Sequence, residues 1–216
     1  MKVGTDGVLL GAWSQAKNPE TILDIGTGTG LVALMCAQRF REANVIGIEY
    51  AETAHLDAQM NFSNSPFASR LTALCGDIIE YSANFTYDLI TCNPPYFVKS
   101  MKSSDSHRNL ARHQDSLPLD RLFEKVHQLL SPKGTFALII PSNLLQEVVT
   151  LSENLEFCIT KKTFVKGNEN AEPKRVLLQL TKQYQPIVIE ELVIELERHQ
   201  YTPEYVNLTK DFYLKM

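Results

Sequence analysis

The chain has 216 residues, 44% of them hydrophobic, and a formal net charge of −4, the size and balance of one globular domain with an ordinary core. No apolar run reaches membrane-spanning length. The start, MKVGTDGVLLGAW, lacks the long apolar centre of a secretory signal, and the net acidity does not advertise nucleic-acid binding. Cys36, Cys75, Cys92 and Cys158 stand far apart without a C-x-x-C spacing. That points to buried, reduced thiols in a cytoplasmic protein, and away from a metal site or disulfides.

In chain order, VLLGAW (8–13) reads as an apolar helix. TILDI (21–25) is a buried strand, GTGTG (26–30) a tight turn, and LVALMCAQRF (31–40) a helix. NVIGIEY (44–50) is a second strand, and AETAHLDAQMNF (51–62) a helix ended by an NSP turn. LTALCGD (71–77) and YDLITC (87–92) are the third and fourth strands. Residues 117–130 form an amphipathic helix with Leu119, Leu122, Phe123, Val126, Leu129 and Leu130 on its apolar stripe. SPKG then turns the chain into TFALIIP (135–141), a fifth strand. A Ser cap opens a helix over 142–154, and 156–165 and 175–180 are two strands around a polar loop.

Strands alternating with helices imply a parallel α/β sheet. The loop between the last two strands is too short for a parallel crossover, so they are expected as an antiparallel pair at the sheet edge. In the tail, residues 187–194 fit a strand or a helix. The reading favours a short strand followed by a terminal helix near 203–210.

The turn Asp24-Ile25-Gly26-Thr27-Gly28-Thr29-Gly30 joins the first strand to the first helix after it. Glycines permit a sharp turn and close approach of a ligand, and ligands of open α/β sheets bind beyond the carboxyl ends of the strands. The spacing is G-x-G-x-G, not the G-x-G-x-x-G of dinucleotide sites. The preceding acid suits a cationic ligand better than a pyrophosphate. Glu49 ends the second strand, where an acid can accept from both ribose hydroxyls. Asp77 follows the third, where it can accept from an adenine amino group or serve simply as a helix cap. A plain glycine turn and an incidental surface acid are the bland alternatives for the loop and Glu49.

Three acids at successive strand ends around a glycine loop resemble the S-adenosylmethionine site of class I methyltransferases, over residues 21–180. The resemblance implies a Rossmann-like fold: a seven-stranded, mostly parallel sheet with an antiparallel last strand and helices on both faces, the whole of 1–216 forming one domain. It also implies that the 26–30 backbone, with Gly26, Thr27, Gly28 and Gly30, packs against the methionine part of the cofactor, Glu49 holds its ribose and Asp77 its adenine, with Asp24 and Asn93 as further cofactor-binding residues.

The fourth strand ends in TCNPPYF (91–97). Two prolines cannot continue a ladder, so they end the strand in a stiff loop. Asn93-Pro94-Pro95-Tyr96 is similar to the N/D-P-P-Y/F/W motif of amino-methyltransferases. An exocyclic amine is a poor nucleophile because its lone pair spreads into the ring. Acceptors aimed at its two N–H groups return electron density to nitrogen as it attacks. Asn93 Oδ1 is one such acceptor and the Pro94 carbonyl the other, preorganised by the prolines. Tyr96 offers a face for stacking a base, worth ~1–3 kcal/mol. A mere strand terminator is the alternative. Phe97 extends the aromatic wall or belongs to the core.

KVGTDGVLLGAW, LDIGTGTGL, CNPPYF, RHQDSLPLDRLF and LTKDFYL together resemble the tRNA1(Val) adenine-N6 methyltransferase family. That implies methylation of the adenine 3′ of the anticodon, adenosine 37, by a cytoplasmic enzyme using S-adenosylmethionine, with no metal and no membrane. The sequence does not fix the oligomeric state, and a monomer is expected. In such enzymes a G-T-D-G-like segment closes over the cofactor, which makes Thr5 and Asp6 candidates, although a capped helix start explains them as well. Members carry a further segment before this point, so Met1 is read as an internal residue of a fragment or a misplaced start. For RNA, residues 96–113 carry net +3 (Lys99, Lys102, Arg108, Arg112 against Asp105), with His107 and His113 nearby. Residues 158–182 carry net +4. The two are candidates for one phosphate-binding face, with Lys102, Arg112, His113, Lys174 and Arg175 as contacts, or else are solvated loops. The rival readings are another NPPY enzyme acting on ribosomal guanine or release-factor glutamine, a nicotinamide oxidoreductase, and a non-catalytic cofactor- or RNA-binding protein.

Overall fold

The computed structural model describes residues 4–94 and 117–214. One sheet of nine strands runs through them: β1 (Thr21–Ile25), β2 (Asn44–Glu49), β3 (Leu71–Cys75), β4 (Tyr87–Cys92), β5 (Leu130–Pro141), β6 (Cys158–Asn168), β7 (Arg175–Thr181), β8 (Val188–Glu197) and β9 (Gln200–Tyr201). Their order is β3-β2-β1-β4-β5-β7-β6-β8-β9. The helices are α1 (Thr5–Trp13), α2 (Leu31–Arg39), α3 (Glu52–Ser63), α4 (Leu119–Leu129), α5 (Leu145–Asn154) and α6 (Pro203–Thr209).

The first five strands are parallel and read as apolar runs because both faces are covered. Alternation sorts their side chains. Ile22, Leu89, Ala137, Ile139 and Leu177 face a layer formed by Leu9, Leu10 and Trp13 of α1 and Val32, Ala33 and Cys36 of α2, with Ala58 and Phe62 of α3. Leu23, Ile25, Ile90, Phe136, Leu138 and Leu178 face Leu122, Phe123 and Val126 of α4 and Val148 of α5. The apolar stripe expected on 117–130 is the buried face of α4, except that Leu130 opens β5.

The sequence expectation of seven strands is corrected to nine. β7 is antiparallel to both β5 and β6, as the short connection requires, yet this pair is not the sheet edge. The tail adds β8 parallel to β6. Its β-branched side chains suit a pleated surface, Leu192 enters the core, and Lys161–Glu190 (2.9 Å) and Lys166–Glu191 (2.8 Å) bridge the two strands. The SPKG turn is likewise absorbed: β5 already begins at Leu130, opposite Tyr87, and the register then jumps so that Thr135 faces Leu89. The helix expected from 142 begins at Leu145, after a 3-10 turn, because Ser142 Oγ donates to the Pro173 carbonyl at 2.6 Å instead of capping. Cys36 and Cys92 are buried thiols, as expected. Cys75 is exposed, since β3 is the opposite edge of the sheet, and Cys158, at the start of β6, is only half-buried.

Helix α1 is tied to the distant β6 by Trp13, whose Nε1–H donates to Thr163 Oγ1 at 2.9 Å. Thr163 in turn faces Glu190 Oε2 at 3.4 Å. Thr163→Val keeps the volume and deletes the acceptor, so unfolding in urea should show a loss of ~1–2 kcal/mol. An unchanged midpoint would mean that α1 docks through apolar contact alone.

Candidate active site

The order β3-β2-β1-β4 brings four strand ends side by side, and the direction in which strands are added reverses between β1 and β4. Such a switch point leaves a crevice at the carboxyl ends. The pairs Ile25↔Cys92 and Glu49↔Cys75 are the last of their ladders. Beyond them the chain is free to leave the sheet.

On the β1 side it leaves through a turn with Gly26, Gly28 and Gly30 at φ 65°, 59° and 87°, left-handed values that favour glycine. A Cβ on Gly30 would meet the Phe62 ring at 2.4 Å, whereas one on Gly26 would meet nothing within 4 Å. The loop is therefore packed beneath Gly30 and open at Gly26. Gly26 N–H and Thr27 N–H both donate to the Ile48 carbonyl at 2.9 and 3.1 Å.

Glu49 ends β2 half-buried and accepts from two backbone amides, Gly28 N–H on Oε2 at 2.8 Å and Ala51 N–H on Oε1 at 2.9 Å. Its carbonyl accepts from Gly76 N–H at 2.9 Å. One residue thus fixes the loop, the β2 end and the β3 end together. Each carboxylate oxygen keeps a further lone pair for a hydroxyl donor. Asp77 is exposed, with Oδ1 accepting from Ile79 N–H at 2.9 Å in a local turn. Its Oδ2 takes no partner among the described residues.

Asp24 lies beneath the loop, not on its open face, and is 2% exposed. Thr27 Oγ1 donates to Oδ2 at 2.6 Å, and Thr91 Oγ1, from β4, to Oδ1 at 2.8 Å. The Ala33 amide in the first turn of α2 also faces it. Burial pushes the carboxyl up to about 6 from an ordinary 3.8, against the lowering effect of these donors, and Glu49 nearby adds to the rise. Cys92, next to the motif, is a buried thiol pushed well up by burial, then by Asp24. It stays protonated and is no nucleophile.

Asn93 is half-buried and Pro94 buried, directly after the last β4 pair. Tyr96 lies outside the described residues, as do Phe97, Lys99, Lys102, Asp105, His107, Arg108, Arg112 and His113. Thr5 is exposed at the first turn of α1, which has no side-chain cap. Asp6 instead accepts from Arg175 Nε at 2.8 Å. With Lys161 and Lys166 paired to β8, three of the six cations in the second basic segment are held by acids, and Lys182 donates to the Leu130 carbonyl at 2.7 Å. Lys174 is exposed, with no ion pair among the described residues, so the segment is partly engaged within the fold. The sequence reading missed the acids of β8 because it left 187–194 unpaired. It also passed over Thr91, whose only signal was a hydroxyl within the apolar run YDLITC.

Residues 4–166 match the family model described as Methyltransferase small domain. A tRNA1(Val) (adenine(37)-N6)-methyltransferase of Bacteroides fragilis is 45% identical over 219 residues, covering all of this chain and 92% of the relative. One from Flavobacterium psychrophilum is also 45% identical, over all of this chain and 94% of its own. The chain belongs to the tRNA1(Val) (adenine(37)-N6)-methyltransferase family. Among solved structures, a predicted O-methyltransferase of Agrobacterium tumefaciens superposes with a TM-score of 0.72 at 18% identity, over 95% of this chain and 96% of that one. A glycopeptide N-methyltransferase complexed with S-adenosyl-L-methionine gives 0.60 at 13% identity, over 85% and 90%. These two establish the shared methyltransferase fold. Among the described residues, no helix is long and apolar enough to cross a membrane, and no group of three or more His, Cys, Asp or Glu side chains could hold a metal ion.

The buried carboxyl makes stability depend on pH. The native state binds the Asp24 proton more tightly than the unfolded chain does, so this group destabilises the fold increasingly as pH rises from about 4 to about 6. A rise of about two pH units corresponds to ~3 kcal/mol. Asp24→Asn removes the dependence. Relative to wild type, the variant should gain ~3 kcal/mol in urea unfolding free energy between pH 4 and pH 8. A constant difference across that range would show that Asp24 is ionised throughout.

Proposed function

We propose that the protein transfers the methyl group of S-adenosylmethionine to the N6 amine of an adenine in tRNA, with adenosine 37 of tRNA1(Val) as the target. The observation that carries this reading is the placement of two loops at neighbouring strand ends. The Gly26–Gly30 turn follows β1, Asn93-Pro94 follows β4, and Ile25 and Cys92 are partners in the ladder. On this reading the first is the donor loop and the second the acceptor motif, side by side at the switch point.

The residues present fit the cofactor. S-adenosylmethionine, when bound, supplies an electrophilic methyl on a positively charged sulfur. The open side of Gly26, with Thr27, Gly28 and Gly30, lines the methionine part, and Thr5 stands at its end. Glu49 holds the ribose through the lone pairs its two backbone bonds leave unused. Asp77 accepts from the adenine amino group through Oδ2. Asp24 acts from below, bracing the loop and contributing negative potential toward the cation.

On the acceptor side, Asn93 Oδ1 and the Pro94 carbonyl accept from the target amine and return electron density to its nitrogen. Tyr96 stacks the base. An anticodon-loop adenine is already partly unpaired, which lowers the cost of presenting it. With the 158–182 cations largely engaged, Lys99, Lys102, Arg108 and Arg112 are the main candidates for phosphate contact. The reading takes residues 1–216 as one domain, working as a cytoplasmic monomer.

Calorimetric titration should show binding of S-adenosylmethionine and none of NAD. Nucleoside mass spectrometry should find N6-methyladenosine in the tRNA of cells with the gene and its loss on deletion. Methyl label entering only protein would end the RNA reading. Asn93→Ala should lower transfer at least ~100-fold while leaving cofactor affinity within a few-fold, since the role proposed for Asn93 is to accept from the target amine. Equal loss of both would mark Asn93 as structural.

A further inference from the structure

The ladder between β1 and β4 ends at Ile25↔Cys92. Past that pair, among the described residues, no backbone hydrogen bond between the two strands sets the distance from the Gly26–Gly30 turn to Asn93. One pair earlier, at Asp24↔Thr91, a side-chain link is present. Thr91 Oγ1 donates to Asp24 Oδ1 at 2.8 Å, and Asp24 Oδ2 accepts from Thr27 Oγ1 at 2.6 Å. Thr91 is two residues before Asn93, and Thr27 lies inside the turn. The three side chains therefore form a continuous strap from the acceptor strand to the donor loop.

The strap is stiff at both ends. Thr91 is fully buried, on the same face of the sheet as Leu89 and Ala137, and β-branching restricts its rotamer. Thr27 is 7% exposed and packs under Gly47, where an added Cβ would lie 2.8 Å from Thr27 Oγ1. Its amide is held by the Ile48 carbonyl. A valine at 91 would fill the same space as the threonine, so filling the core does not by itself call for a hydroxyl here. What the hydroxyl adds is the link to Asp24.

We propose that Thr91 is a positioning residue for methyl transfer, holding the strand end that carries Asn93 in fixed register with the cofactor loop through Asp24. It touches neither substrate nor cofactor. Its effect falls on the distance between the reacting groups, where a displacement of about 1 Å can cost ~100-fold in rate. The proposal rests on the methyl-transfer reading of the site for its kinetic consequence, and on the hydrogen bonds alone for its structural one.

The test compares Thr91→Val and Thr91→Ser with wild type. Thr91→Val should lower kcat for methylation of tRNA by ~10- to 100-fold, with KM for S-adenosylmethionine unchanged within about threefold. Thr91→Ser keeps the hydroxyl and should recover most of the rate. An unchanged kcat in Thr91→Val, a KM that rises as far as kcat falls, or a serine variant as slow as the valine would each overturn the proposal. Thr91→Ala removes the hydroxyl without adding bulk and serves if the valine variant does not fold. Amide hydrogen exchange reads the strap without the reaction. Exchange at Gly28 and at Cys92, the last paired residue of β4, should accelerate together at least ~10-fold in the valine variant and not in the serine one. Wild-type protein that methylates no tRNA, with the paired acceleration still present in the valine variant, would refute the functional reading and keep the strap. Independent or absent acceleration would refute the strap whatever the activity.

Discussion

A single buried carboxylate organises the centre of this molecule. Asp24 lies under the glycine turn with a threonine hydroxyl on each oxygen, one from the turn and one from the neighbouring strand. Removing such a charge from water is costly, and hydrogen bonds offset the cost only where the donors are held in place. Here they are held by the β1–β4 ladder, by the core around Thr91 and by the first turn of α2. The carboxyl nevertheless remains displaced well above its ordinary range. The fold tolerates this desolvation cost at the point where the Gly26–Gly30 turn and Asn93-Pro94 leave the sheet.

Around that point the sheet order does the rest. To one side of the switch, β1, β2 and β3 present the glycine turn, Glu49 and Asp77 in sequence, and Glu49 ties all three strand ends through its side chain and carbonyl. To the other side, β4 ends at Cys92 and is followed by Asn93 and Pro94 beside the crevice. The Gly26–Gly30 turn and Asn93-Pro94 therefore follow neighbouring strands whose last residues, Ile25 and Cys92, are ladder partners. The far half of the sheet has a different character. Its lysines pair with glutamates across β6 and β8, and Arg175 holds the first turn of α1. A segment rich in positive charge is used to attach the tail and the leading helix.

Much of the central site was readable from local pattern. The glycine turn needs only neighbouring residues to define it, and the prolines end a strand wherever it lies. Apolar runs alternating with helical spacing fixed the parallel half of the sheet because each run is buried on both faces. The misreadings share a cause, since each depended on a partner distant in the chain. SPKG reads as a turn until β4 is placed beside it. Residues 187–197 are ambiguous until β6 offers an edge with lysines facing their glutamates. Ser142 reads as a cap until the Pro173 carbonyl competes for its hydroxyl. Asp6 and Arg175, 169 positions apart, carry no mutual signal at all.

From sequence alone came the residue types that the chemistry requires: glycines for a left-handed turn, acids after three strands, an amide and two prolines at a strand end. These are properties of single residues and their immediate neighbours. Only the tertiary structure decided which of the acids face solvent and which is buried, which cations are already spoken for, and that Thr91 reaches Asp24. Burial and pairing are set by what packs against a group from elsewhere in the chain, and linear order does not specify that.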